Sequence, residues 1–276
     1  CSHRTTKSIK MLPQLMKTQN KLVVAGTLLN QEITNLGNFG RRIISKPNKT
    51  VVIAGGAKVS DKLSVLKQFV HTGVKAIFIG GKMVNSFLIA QKEKLKITPF
   101  SLTDIPRTLL SSNEEINKNF INEVALAGEI LDFAKEKKVN LILPEDYKCV
   151  DEFKAPTFFI ESEPDFERVL QLDLGPKTIE NFKNTILSNG IENIFWNGPL
   201  GAYDHPTNHD YAEGSLELAQ LLFEEALTNP KFSVVIGGGD SAAILNKIGT
   251  HQLKNLIKRC VEKQLASTIN RDLLNM

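Results

Sequence analysis

The sequence predicts an α/β protein, a doubly wound, mainly parallel six-stranded sheet with helices on both faces in a Rossmann-like three-layer arrangement. Three observations predict it. A short apolar run ends at glycine or Asn-Gly and passes into a segment of helical spacing, and this happens four times. The runs are continuously apolar rather than alternating, which suits strands buried on both faces. Strand and helix signals alternate, which builds βαβ units rather than hairpins.

Taken in order, Leu22, Ala25, Leu29, Ile33 and Leu36 have helical spacing and predict one helix in the first forty residues. Residues 49–54 form a strand that leads into Gly55-Gly56 and a helix over 59–70. Residues 75–79 form the next strand, followed by Gly80-Gly81 and a helix over 83–90. Residues 92–113 are polar and hold Pro99 and Pro106, so they read as a surface excursion. A long helix follows over about 116–138, with Ile121, Val124, Ala125, Ile130, Leu131 and Ala134 on its apolar stripe. Strands are expected at 139–143 and 169–174. The strand at 192–196 ends in Asn197-Gly198-Pro199 before a helix over 209–227, and its Phe195 and Trp196 read as core. The strand at 232–236 ends in Gly237-Gly238-Gly239 before a helix over 241–248. The tail carries Leu253, Leu256, Ile257, Cys260, Val261 and Leu265 at the spacing of an amphipathic packing helix.

Composition narrows the function classes. Apolar residues are 42% and charged residues 23%, an ordinary globular mixture with enough apolar material for a substantial core. Lys plus Arg number 34 against 30 Asp plus Glu, a net charge of +4, too mild for the clustered basic footprint of a nucleic-acid binder. Cys1, Cys149 and Cys260 lack metal-ligand spacing and read as free thiols of a reducing compartment. No apolar stretch approaches the ~20 residues of a membrane span, and the first ten residues lack a secretory apolar run. A cytoplasmic protein without a membrane partner is the expectation. Residue 1 is Cys rather than an initiator Met, so a fragment or a processed product is expected.

In an open α/β sheet, ligands bind outside the carboxyl ends of the strands. All four glycine clusters fall on that edge, each before a helix N-terminus that offers free N–H groups and a positive dipole end. One such turn could be mere geometry, but four on one edge favour a phosphate or nucleotide site. There is no GxxxxGK[ST] motif. Residues 237–242 formally satisfy GxGxxA after a strand, a weak dinucleotide signal that leaves an oxidoreductase as a minor alternative. The Asp directly after the glycines suits phosphate and magnesium better. In GGAKVSDK, residues 55–62, Lys58 and Lys62 stand four apart in the first turns of a predicted helix. Cations there oppose the dipole unless an anion sits above the turn. Phosphoryl transfer needs such charge; the alternative is a solvated lysine pair.

GGAKVSDK at 55–62, IGGKMVNSF at 79–87, LPEDYKCVDEF at 143–153, LDLGPKT at 172–178, WNGPLGAYD at 196–204 and GGGDSAA at 237–243 occur in this order. In order and approximate spacing this set resembles the phosphoglycerate kinase family, over about residues 1–250. The resemblance implies the nucleotide-binding C-terminal domain of an enzyme that reversibly transfers phosphate from 1,3-bisphosphoglycerate to ADP with magnesium, making ATP in glycolysis. It implies that Lys58 and Lys62 hold the nucleotide phosphates and the transferring group. Gly55, Gly56, Gly80 and Gly81 would line the nucleotide cleft, and Gly175 would lie beside the adenine. Asn197 would lie near the phosphates. Asp204, where the family usually has Glu, would bond the ribose hydroxyls. Gly237, Gly238 and Gly239 would turn the backbone toward the nucleotide, Asp240 would be linked to magnesium, and Ser241 would offer its hydroxyl to the phosphates. Ser2-His3-Arg4 resembles the family's small-His-Arg element, whose Arg helps bind 3-phosphoglycerate, so Arg4 is the candidate substrate contact.

The resemblance also has gaps. The family's N-terminal domain is represented only by residues 1–20 as a remnant with the interdomain connection. Residues 21–250 then form the nucleotide-binding domain, and 251–276 a divergent helical tail. The family's second glycine triplet, preceded by Ser-Thr, has no counterpart after Ile248. Lys82 stands where a third glycine is expected and would crowd the base. These gaps motivate the alternative of a non-catalytic nucleotide-binding paralogue or partner-binding module. The expectation is a monomeric chain that binds nucleotide weakly and turns over negligibly alone. Asp204, His205, His209 and Asp210 could suggest a metal site, but the two histidines read better as ordinary loop residues beside Pro206; Glu145-Asp146 with Asp151-Glu152 could be read as an acid/base pair, but nothing else points that way and the kinase mechanism needs no such dyad.

Overall fold

The computed structural model describes residues 11–24, 26–93, 101–106, 109–151, 158–161, 169–188, 190–204, 209–245 and 258. The chain divides into two compact units, Cys1–Arg42 and Ile43–Met276. In the first unit lie α1 (Leu12–Thr18) and most of α2 (Thr27–Ser45). The single helix expected there is two. Asn20 adopts a left-handed φ of 56°, which ends α1, and Leu22 lies beyond that break, 83% exposed. Leu22 has the spacing of Leu29 and Ile33 but precedes the start of α2 at Thr27, a boundary that periodicity cannot register.

In chain order the second unit comprises β1 (Thr50–Ala54), α3 (Leu63–Thr72), β2 (Ala76–Ile79), α4 (Val84–Glu93), α5 (Glu114–Lys137) and β3 (Asn140–Ile142). It continues with β4 (Asp146–Asp151), β5 (Phe158–Glu161), β6 (Val169–Leu174), α6 (Pro176–Ser188), β7 (Asn193–Asn197), α7 (Glu213–Thr228), β8 (Ser233–Gly237) and α8 (Gly239–Leu245). Five strands make a wholly parallel sheet in the order β3-β2-β1-β7-β8. All four expected strand–glycine–helix repeats are present. Their order puts β1 at the centre, and all five residues of β1 are buried, as its unbroken apolar run predicts.

The sixth expected strand, β6, is real but belongs elsewhere. It pairs antiparallel with β4, which also pairs with β5, in a separate three-stranded sheet. The reason is in its pattern. VLQLDL is interrupted by Gln171 and Asp173, whereas the central strands of the parallel sheet carry the unbroken apolar runs VVIA and AIFI. α6 is an element the sequence reading omits, although Ile179, Phe182 and Ile186 are all buried at helical spacing behind Pro176. The stretch read as a surface excursion is partly inside: Ile105 is 7% exposed. The expected tail helix over 251–276 lies outside the described residues apart from Lys258.

Side-chain alternation assigns the helices to faces. Ile194 and Trp196 of β7 join Val51, Ile53 and Phe78 in a cluster with α6 and α7. There Phe78 stacks on Phe182, ring centroids 4.0 Å apart. Phe195, between Ile194 and Trp196, meets Phe69 of α3 on the opposite face at 5.1 Å. No described helix is long and apolar enough to cross a membrane.

The edge of the sheet away from the glycine turns is pinned by charge. Glu192, just before β7, is 7% exposed and takes Lys46 at 2.5 Å and Lys49 at 2.6 Å. Hydrogen bonds from the two ammonium groups hold its carboxyl at about 2, well below the usual carboxylate range. Both lysines are about half exposed, so solvent screens the pair. A carboxyl with a depressed folded pKa contributes stability that is present above the unfolded value of about 4.3 and is lost as pH falls through the folded value. Glu192→Gln is therefore expected to be less stable than the parent in urea unfolding at pH 7. The gap should close as pH falls from about 4 toward 2. An unchanged gap at pH 2 would assign the effect to packing instead.

Candidate functional site

The parallel strands end on one edge, and their last residues set a narrow backbone junction. Gly55 follows β1 and Gly198 follows β7. The N–H of Gly55 donates to the carbonyl of Asn197 at 3.0 Å, and that of Gly56 to the carbonyl of Pro199 at 2.9 Å. A Cβ on Gly55 would stand 2.1 Å from the Pro199 oxygen. Gly198 has a φ of +100°, and a Cβ there would stand 2.2 Å from the Gly55 oxygen. Two backbones approach here as no side chain would allow. Gly81 extends the junction, its N–H donating to the carbonyl of Leu200 at 2.9 Å.

Over this junction opens a cleft of about 640 Å³. Gly56, Gly81, Asp204 and Asp240 of the sequence candidates line it, and so does Lys82. Lys62 is the N-cap residue of α3 and bonds through its ammonium to the side-chain oxygen of Asn197. Burial lowers its pKa from the ordinary lysine value, while the charges of Asp61 and Asp240 oppose that fall. Lys62, Asn197 and Asp240, from the ends of three neighbouring strands, thus belong to one electrostatic neighbourhood.

The helix expected to begin at 59 begins at Leu63, so both lysines precede its first full turn. Lys58 is exposed, next to the cleft-lining Ala57. Gly237 ends β8, and Gly238 turns with a φ of 95° into Gly239, the first residue of α8. Asp240 is exposed in that first turn and accepts a hydrogen bond from the Tyr203 hydroxyl at 3.1 Å. Ser241 is 2% exposed, and its Oγ accepts from the N–H of Gly198 at 2.8 Å, binding α8 to the junction. Gly80 is buried against Leu200. Gly175 packs on the buried carboxylate of Asp146, where a Cβ would come within 2.2 Å of the carboxyl carbon. That carboxylate accepts from the N–H groups of Lys177 at 3.0 Å and Thr178 at 2.8 Å, capping α6. Asp146 is thus a helix cap, in keeping with its reading as no part of an acid/base pair. Arg4, His205 and the side chains of His209 and Asp210 lie outside the described residues.

Two cleft residues escape the sequence reading. Asp173, 4% exposed, accepts from the N–H of Leu174 at 2.9 Å and of Gly214 at 3.0 Å, joining β6 to α7. Burial pushes its carboxyl up to about 7, against those two bonds and the charge of Lys148. A signal existed, since Asp173 is an acid between two leucines, two residues before Gly-Pro. Tyr203 is the other. Its neighbour Asp204 carries the motif, and the aromatic beside it reads as filler until the turn aims its hydroxyl at Asp240. Burial first, then Asp240, raises the Tyr203 pKa and keeps the hydroxyl protonated as a donor. The apolar part of the cleft includes Val84, Leu109, Leu110, Ile116 and Leu172. Leu109 and Leu110 come from the stretch read as a surface excursion.

The described residues contain no group of three or more His, Cys, Asp or Glu able to hold a metal by itself. The carboxylates of Asp240 and Asp204 on one cleft fit a different pattern. Magnesium keeps several waters and is bound by one or two carboxylates together with substrate phosphates.

A family model described as phosphoglycerate kinase matches residues 1–257. The curated phosphoglycerate kinase of Lactobacillus delbrueckii subsp. lactis is 34% identical over 251 residues, which are 90% of this chain and 53% of that protein. That of Dictyoglomus turgidum is 34% identical over 230 residues, 82% of this chain and 50% of that protein. The solved phosphoglycerate kinase of Coxiella burnetii superposes with a TM-score of 0.59 at 27% identity, over 82% of this chain and 51% of that one. That of Pyrococcus horikoshii OT3 gives 0.60 at 25% identity, over 83% and 50%. The chain spans about half the length of the curated relatives it matches.

Proposed function

This chain belongs to the phosphoglycerate kinase family, and from that premise we propose that it supplies the Mg-ATP/ADP-binding half of a glycolytic phosphotransferase acting between 1,3-bisphosphoglycerate and ADP. The observation that carries the reading is the meeting of Lys62, Asn197 and Asp240 at the carboxyl ends of β1, β7 and β8, beside the cleft that Asp240 lines. A polyphosphate laid over that edge meets a cation, an amide and a carboxylate suited to its counter-ion.

The division of labour follows from the chemistry of each group. Lys62 is half-buried, so its charge acts on phosphate oxygens through a weaker dielectric than water provides. Asn197 holds the ammonium in place. Lys58, exposed on the same turn, adds a mobile cation toward the transferring group. Asp240, helped by Asp204 or leaving it to the ribose, would hold magnesium, which when bound supplies further neutralisation of the phosphates. The apolar wall at Val84 and Leu172 shields the base. Arg4 would meet the phosphoglycerate, and a basic N-terminal domain would supply most of that substrate's site. Positioning and charge carry the rate in such transfers, with hinge closure between domains expelling water. The isolated chain accordingly binds nucleotide weakly and has negligible turnover. Lys82 on the cleft supports a second reading, a nucleotide-binding module without catalysis.

Calorimetric titration of ADP, with and without magnesium, tests the proposal. The expected result is binding that magnesium strengthens, with the gain removed in Asp240→Ala. No binding at millimolar nucleotide overturns it. Robust 3-phosphoglycerate-dependent ATP consumption by the isolated chain would overturn the expected dependence on a second domain.

A further inference from the structure

The hydroxyl of Tyr203 and the carboxylate of Asp240 meet across the cleft from two different turns. Tyr203 lies in the turn after β7, six residues beyond Asn197, and Asp240 in the first turn of α8. Both line the cleft, and the hydroxyl donates to Oδ1 of Asp240 at 3.1 Å. The carboxylate is exposed. An Asp in the first turn of a helix has a competing choice, because its oxygens can turn back onto the free N–H groups there. A donor across the cleft selects the outward rotamer. It takes Oδ1, one of the two carboxylate oxygens.

We propose that Tyr203 is a positioning residue for the magnesium-dependent part of nucleotide binding, its hydroxyl fixing the rotamer in which Asp240 offers its second oxygen to the cation. The inference rests on the reading of Asp240 as the magnesium-linked carboxylate. It adds a residue that touches neither nucleotide nor cation and acts through the carboxylate. A neutral donor suits that task. A lysine in its place would cancel the negative charge the cation needs, whereas a phenol orients the carboxylate and leaves its charge in place. The same bond links the loop that carries Asp204 to the turn that carries Ser241, so ribose-side and phosphate-side groups share one brace.

A double-mutant cycle on the full chain tests this. ADP is titrated calorimetrically with and without magnesium into the parent, Tyr203→Phe, Asp240→Asn and the double variant. Tyr203→Phe is expected to weaken Mg-ADP binding by about ten-fold, near the lower bound for one hydrogen bond to a charged group, and to leave magnesium-free ADP binding unchanged. In Asp240→Asn the further change to Phe should have no effect. Equal weakening with and without magnesium would overturn the inference, since a merely structural or nucleotide-contacting role predicts that. So would unchanged or tighter Mg-ADP binding in Tyr203→Phe, or full additivity in the double variant. If instead the magnesium gain survives Asp240→Asn, the underlying reading of Asp240 fails and takes the inference with it. Thermal unfolding of Tyr203→Phe within about 2 °C of the parent excludes a folding defect.

Discussion

Gly55→Ala is expected to lower the unfolding free energy by about 3 kcal/mol, at the upper end of ordinary overpacking. The added methyl would be 2.1 Å from the Pro199 oxygen, 2.7 Å from its carbonyl carbon and 2.8 Å from the Gly198 oxygen. All three are backbone atoms, so no flexible side chain can swing aside. Relief requires β1 and β7 to separate at their carboxyl ends, which strains the bonds from Gly55 to Asn197 and from Gly56 to Pro199. The cost is therefore steric and electrostatic together. For a unit of this size it corresponds to a fall in melting temperature of about 6–12 °C. Urea unfolding of parent and variant checks the magnitude. Because the separated ends carry Gly56 and Asn197, nucleotide affinity should fall too. Gly239→Ala supplies the contrast, since a Cβ there meets nothing within 4 Å, and it is expected to be near neutral. Equal stability of Gly55→Ala and the parent would mean that the strand ends are not so closely joined.

The second large effect is on binding. Lys62→Met keeps the length of the side chain and removes its charge. Loss of a charge-assisted contact to phosphate, worth about 2 kcal/mol, weakens ADP binding about 30-fold. Lys58→Met should cost less, because that ammonium is exposed and its field is screened. The pH dependence separates the two further. Burial lowers the Lys62 pKa, so its positive charge, and the affinity that depends on it, is present at neutral pH and lost on raising pH before ordinary lysines titrate. Lys62→Met should lack that alkaline loss. Calorimetry across the alkaline range measures both. Parent-like affinity in Lys62→Met would remove Lys62 from the phosphate site.

How much of this was legible beforehand depends on how local each cause is. The four strand–glycine–helix repeats were readable because an unbroken apolar run has few uses other than a doubly covered strand. The pair of α6 and β4 was not, because its signal is divided. The residue that caps α6 is Asp146, thirty residues before the helix it serves. Leu109 and Leu110 read as surface because two prolines and many polar neighbours surround them, yet the fold turns them onto the cleft. Of the candidate site, Gly56, Gly81, Asp204 and Asp240 were named from motifs and do line one cleft. Gly175, named from the same kind of motif, packs on a cap carboxylate.

The sequence by itself determined the layered α/β class, the edge on which glycines and charged groups collect, and the family to which the chain belongs. Those follow from spacing along the chain, where the physical cause sits within a few residues of its sign. Only the tertiary structure decided the partners: that β6 leaves the main sheet, that Lys62 finds Asn197, and that Tyr203 reaches Asp240. Each of those depends on the distance between groups 37 to 135 positions apart or on which neighbour a strand finds. Burial, hydrogen bonding and charge act through space, so they take their values only once the chain has closed.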